Sequence, residues 1–126
     1  MDRKNISTGS KWEPIIGYSR AVRVGGQIFV SGTTGSDANG KVSGDTYAQT
    51  KQALANIAAA LAQAGASVEN VVRTRIFMTD ISQWEDAGKA HGEVFGTIRP
   101  ATAMVQVAKL IDPAMLVEIE ADAVIA

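Results

Sequence analysis

Hydrophobic and polar positions divide the chain into short β-like runs around two helical stretches. Two β-prone runs, from Ser19 to Val24 and from Gln27 to Ser31, flank Gly25-Gly26, and a Gly-Gly link between such runs predicts a hairpin. From Asp45 to Ala64 the apolar residues Tyr47, Leu54, Ile57, Leu61 and Ala64 recur at spacings of three, four and seven. This period predicts a helix, capped by Asp45 and stopped at Gly65. A strand is expected from Val71 to Met78, ended by Thr79-Asp80, after which Ser82 caps a second helix running to about Phe95. The segment from Arg99 to Ala123 reads as two further strands. In the last of them Glu118, Glu120 and Asp122 alternate with Val117, Ile119, Ala121 and Ala123, so one face is apolar and the other acidic. Residues 1–17 have no period and read as loop or edge, and Thr33 to Gly44 reads as loop.

The resulting order, β-β-α-β-α-β-β, predicts an α+β fold: one mixed sheet with both helices on one face. Val72, Ile76, Met78, Val105, Val107, Ile119 and Ala123 are the expected inward partners of the helices. The opposite face should then carry Arg73, Arg75 and Phe77, then Thr102, Met104 and Gln106, then Glu118, Glu120 and Asp122. Such a face is either solvated, with weak cross-strand ion pairs, or packed against identical sheets in a ring. In the second case, clefts between subunits would hold carboxylates in partly dry surroundings, where their protonation shifts.

Bulk composition narrows the functions. At 126 residues the chain is expected to form one domain, residues 1–126. A formal net charge of −1 gives no strong field toward nucleic acid or acidic membranes. The absence of cysteine excludes disulfides and a thiol nucleophile and suits a reducing, cytoplasmic setting. No apolar run of about twenty residues is present to cross a bilayer, and the polar start Met-Asp-Arg-Lys-Asn lacks the apolar core of a signal peptide. His91 is the single histidine; it shares a helical stripe with Trp84 and Phe95, which points to packing, and alone it builds no metal site. Trp12-Glu13-Pro14 either packs onto the sheet or lines a cleft mouth.

Four motifs stand in order along the chain: Gly17-Tyr18-Ser19, Phe29-Val30-Ser31-Gly32, Thr74-Arg75-Ile76-Phe77-Met78-Thr79-Asp80 and the block from Arg99 to Ala123. In these motifs, and across nearly its whole length, the chain resembles the reactive intermediate deaminase family, also called the YjgF family. The resemblance implies a chorismate-mutase-like fold, a homotrimer with its sheets turned inward and a ligand cleft at each subunit interface. It further implies hydrolysis of imines derived from amino acids to the keto compound and ammonia, without metal or organic cofactor. Carried over residue by residue, Glu118 handles the attacking water, while Tyr18 and Ser31 complete the cleft. The family's arginine that clamps the substrate carboxylate is matched by Thr102, with the apolar Met104 beyond it.

Threonine lacks the charge and the planar fork that bind a carboxylate through two hydrogen bonds. Losing such a contact forfeits on the order of 2–3 kcal/mol, so the usual activity on 2-imino acids is expected to suffer. Arg20, Arg73, Arg75 and Arg99 are other arginines that could approach a cleft, and the sequence does not choose among them. The readings that follow are a cofactor-independent imine or enamine hydrolase acting on a small molecule, or a non-catalytic trimeric module that binds or senses a metabolite. An endoribonuclease role, attached to some family members, finds no basic stripe here.

Overall fold

A computed structural model describes residues 2–126; Met1, the first residue of the polar start, lies outside them. The elements are β1 (Arg3–Ile6), α1 (Trp12–Ile16), β2 (Ala21–Val24), β3 (Gln27–Thr34), α2 (Thr46–Gln63), β4 (Val71–Met78), α3 (Trp84–Phe95), β5 (Ala101–Gln106) and β6 (Val117–Val124). They build one six-stranded sheet in the order β1-β2-β3-β6-β4-β5, antiparallel throughout except for the parallel pair β4–β5. The expected α+β architecture is therefore the one observed. The last strand in sequence, β6, lies between β3 and β4 near the middle of the sheet.

Helices α2 and α3 cover one face. Leu54, Ile57 and Leu61 of α2 pack against Ile28, Val30, Ile76, Met78, Val117, Ile119 and Ala121, all buried. Asp45 caps α2 by accepting a hydrogen bond from the Ala48 N–H at 2.9 Å. At the other end, Gly65 takes the left-handed φ of 82° and the Arg23 guanidinium donates to the Ala64 carbonyl at 2.6 Å. A cation at a helix C-terminus satisfies carbonyls that have no partner within the helix. Among the described residues no helix is long and apolar enough to cross a membrane.

The structure departs from the sequence reading in four places. First, residues 1–17 hold β1 and α1. Strand β1 pairs with β2 and buries only Ile6, so a four-residue run with one inward side chain leaves no period to read. In α1, buried Glu13 accepts from the Thr8 and Ser10 backbone N–H groups and the Thr8 hydroxyl, which ties the preceding loop to the helix. Second, Asp80 rather than Ser82 caps the second helical stretch, accepting from the Ser82 N–H and hydroxyl at the start of a 3₁₀ turn, Ile81–Gln83. Third, Val72 is 48% exposed rather than inward, because an irregularity between Val71 and Arg73 shifts the pairing with β6 and turns Val71 inward instead.

The fourth departure bears on function. The register of β5 sets Thr102 beside Thr74 and Met104 beside Ile76, on the helix-covered side, and leaves Val105 46% exposed on the open face. The alternation along this strand was read in the opposite phase. Its two sets of side chains differ little in polarity, and an edge strand buries neither set fully, so periodicity carries no phase.

Thr102 instead closes a chain of hydrogen bonds that joins three elements. Its hydroxyl donates to the Pro100 carbonyl at 3.1 Å and stands 2.8 Å from the hydroxyl of fully buried Thr74, which stands 2.9 Å from His91 Nε2 on α3. Each hydroxyl has one proton. With the Thr102 proton on Pro100, Thr74 donates to Thr102 and His91 Nε2–H donates to Thr74. Burial holds the His91 imidazole below its ordinary pKa, which favours the neutral ring, here as the Nε2–H tautomer. Thr74→Val keeps the shape but strands the His91 donor, and should lower stability by about 1–2 kcal/mol. Thr74→Ser should stay close to the parent, both measured by urea denaturation.

Candidate active site

The open face gathers its polar groups around one break in the sheet. Between β3 and β6, Val30 pairs with Ala121 but the next partners are Thr33 and Ile119, so Ser31 and Gly32 together oppose one residue, Glu120. A bulge of this kind kinks the strand and re-aims its groups. Local hydrogen bonds hold it: the Ser31 N–H donates to the Arg20 carbonyl at 3.0 Å, the Ser31 hydroxyl to the Ser19 carbonyl at 2.6 Å, and the Thr33 hydroxyl to the Ser31 carbonyl at 2.7 Å.

Glu118 projects from β6 over this bulge. A Cβ at position 32 would lie 2.6 Å from Glu118 Oε2, so the carboxyl rests on space that only glycine leaves open. From the other side the Arg20 guanidinium donates through Nη2 to the Gly32 carbonyl at 2.6 Å, with its centre 5.5 Å from the Tyr18 ring centroid. Burial pushes the Glu118 pKa up; the Arg20 charge pulls it down and Glu120 adds a further rise. Farther along the face, Arg75 pairs with Glu120 at 3.4 Å and Asp122 at 3.3 Å. Two of the three alternating carboxylates thus share a cation, and among the described residues Glu118 makes no ion pair.

Tyr18, Ser31 and Glu118, all expected at the site, therefore converge on the bulge. Thr102 and Met104 do not join them within the chain: they lie on the opposite side of the sheet, on the edge strand. The sequence reading missed Gly32 and left Arg20 as one of four arginines. One usable signal was parity, because Ala21 faces the core and its neighbour Arg20 must then share the open side with Tyr18. Among the described residues no cluster of three or more His, Asp or Glu side chains could hold a metal ion.

A family model described as Endoribonuclease L-PSP matches residues 8–125. A crystal structure of a member of the YjgF/YER057c/UK114 family from Mycobacterium tuberculosis superimposes with a TM-score of 0.91 at 52% identity, covering 98% of this chain and 100% of that one. The chain belongs to the reactive intermediate deaminase (Rid/YjgF) family. Among curated Rid/YjgF relatives, the 2-iminobutanoate/2-iminopropanoate deaminase of Bos taurus is 40% identical over 97% of this chain and 90% of its own length. A RutC family protein of Pyrococcus abyssi is 37% identical over 96% of each.

In this Rid/YjgF chain the fit between Gly32 and Glu118 is open to a direct check. Gly32→Ala meets only the flexible end of a side chain, so the variant should fold. Its carboxyl should swing toward water, and the Glu118 pKa, followed by carbon-detected NMR titration, should fall back toward the ordinary glutamate value.

Proposed function

We propose that this chain hydrolyses small imine or enamine intermediates to the carbonyl compound and ammonia, with Glu118 handling the water. The observation that carries the reading is the half-buried Glu118 carboxyl, raised in pKa by burial and held over Gly32 beside Ser31, Tyr18 and Arg20. A carboxylate there accepts a proton as the water oxygen bonds to the C=N carbon, and the imine nitrogen takes a proton from solvent to give a carbinolamine. Glu118 then returns its proton to the amine, the C–N bond breaks, ammonia leaves, and the hydroxyl gives its proton back to solvent to become the carbonyl. The deaminase name of the bovine relative supports this reaction class.

The same reading takes the active form to be a cytoplasmic homotrimer with a small-ligand cleft at each subunit boundary. Support comes from Phe29, Val105 and Val124, which stand 46%, 46% and 44% exposed on the open face, where a monomer would leave them in water. In an assembly, Thr102 and Met104 of one subunit would line the cleft opposite Glu118 of another. Sedimentation should accordingly give a species of three times the 13.2 kDa chain mass.

Imine generated in situ from an amino acid by an oxidase or dehydratase should disappear faster with the purified protein. Glu118→Gln should slow that step on the order of 100-fold or more. Activity needs the carboxylate, so kcat/KM should rise with pH through a value above the ordinary glutamate range. Stability runs the other way: a raised folded-state pKa means that ionising Glu118 weakens the fold as pH rises through that window. Glu118→Gln should thus melt higher than the parent at neutral pH, and the gap should close in acid. Absence of any acceleration at high protein concentration would instead favour a non-catalytic trimeric metabolite-binding module.

A further inference from the structure

We propose that Arg20 is the residue that binds the carboxylate of a small monoanionic ligand at the Glu118 site, and so selects for 2-oxo and 2-imino acids. The inference rests on the Glu118 site described above, but not on turnover.

The base of the side chain is fixed on both sides. The Arg20 N–H donates to the Ile6 carbonyl of β1 at 2.8 Å, and the Arg20 carbonyl accepts from Ser31 at 3.0 Å. Beyond it, the guanidinium is held by the Gly32 carbonyl and the Tyr18 ring. Its Nε–H is buried and, among the described residues, has no hydrogen-bond partner. Among the described residues Arg20 makes no ion pair, although Glu118 is near enough to feel its charge. A half-buried cation with a fork of five donors, one of them matched, and no ion pair among the described residues is favoured by an added acceptor of negative charge.

The other arginines are committed or remote. Arg75 is shared between Glu120 and Asp122, and Arg23 is spent on the Gly25 and Ala64 carbonyls. Arg3, Arg73 and Arg99 are exposed. Among the described residues Arg20 is the arginine that donates to the Gly32 carbonyl, and the Glu118 carboxyl rests against the same glycine. In a 2-oxo or 2-imino acid the carboxylate carbon is bonded directly to the reacting carbon. Two anchors converging on one peptide unit match that short span. A planar monoanion suits the guanidinium fork, whereas a phosphate dianion would meet the Glu118 and Glu120 charges.

The test is binding of 2-oxobutanoate, a stable carbonyl acid, to the full chain by calorimetry and NMR titration. The parent should bind it, and Arg20→Gln should weaken binding roughly 10- to 100-fold. Arg20→Lys, which keeps charge without the fork, should lose several-fold and serves if the glutamine variant fails to fold. Arg73→Gln, at an exposed arginine, should bind like the parent, and the neutral ketone butanone should distinguish none of them. No binding by the parent, unchanged affinity in both Arg20 variants, a larger loss in Arg73→Gln, or tighter binding of inorganic phosphate than of 2-oxobutanoate would each overturn the assignment. Glu118→Gln should bind 2-oxobutanoate at least as tightly as the parent. If Glu118→Gln leaves imine loss unchanged while Arg20 still governs binding, the catalytic reading falls and this one stands.

Discussion

Strand β6 is hydrogen-bonded on both edges, to β3 and β4, and its inner residues Val117, Ile119, Ala121 and Ala123 are almost fully buried under the helices. A strand placed this way has no freedom of register, since a slip of one residue would drive three carboxylates into the apolar core. The position of Glu118 is thus a by-product of core packing. The burial of Ile119 on one side fixes the height of Glu118 on the other, and Thr34 and Phe77 flank it through the same register. The site inherits the rigidity of the sheet.

On that fixed backbone, electrostatics separate three like groups into different roles. Arg75 lies between Glu120 and Asp122 and pairs with both, each pair worth less than about 1 kcal/mol at this exposure. Among the described residues Glu118 receives no such partner. Its nearest cation, Arg20, is held on the Gly32 carbonyl and acts through space, which only partly offsets the cost of burial. A proton acceptor useful near neutrality needs this intermediate condition, because a fully paired carboxylate is too weak a base and a fully buried one stays protonated.

Much of this was legible in the sequence. The α2 period, the Gly25-Gly26 hairpin, the limits of β4 and the alternation of β6 all come from strong, repeated side-chain patterns, and each appears in the structure. What failed to show were features set by neighbours rather than by pattern. Strand β1 exists because β2 offers it an edge; the bulge at Ser31–Gly32 is two residues of β3 set between paired positions that enclose one residue of β6; the phase of β5 follows from its parallel pairing with β4. Arg20 was visible as a residue but not as a site residue, since its role depends on Gly32, twelve positions later, through that bulge.

The same dependence on neighbours changes what the threonine at position 102 means. Compared with an arginine it lacks a charge, and a reading confined to that position sees only a loss. In the fold its hydroxyl is the acceptor that completes the chain from His91 through Thr74, and Thr74 is fully buried. An arginine there has no oxygen to offer, so the Thr74 hydroxyl would turn its proton to His91 Nε2, which requires the other neutral imidazole tautomer. Position 102 and the helix residue His91 are therefore coupled through Thr74, and the residue at 102 bears on the tautomer of His91. Arg20, on the other face and three strands away from β4 in the sheet order, takes no part in that network.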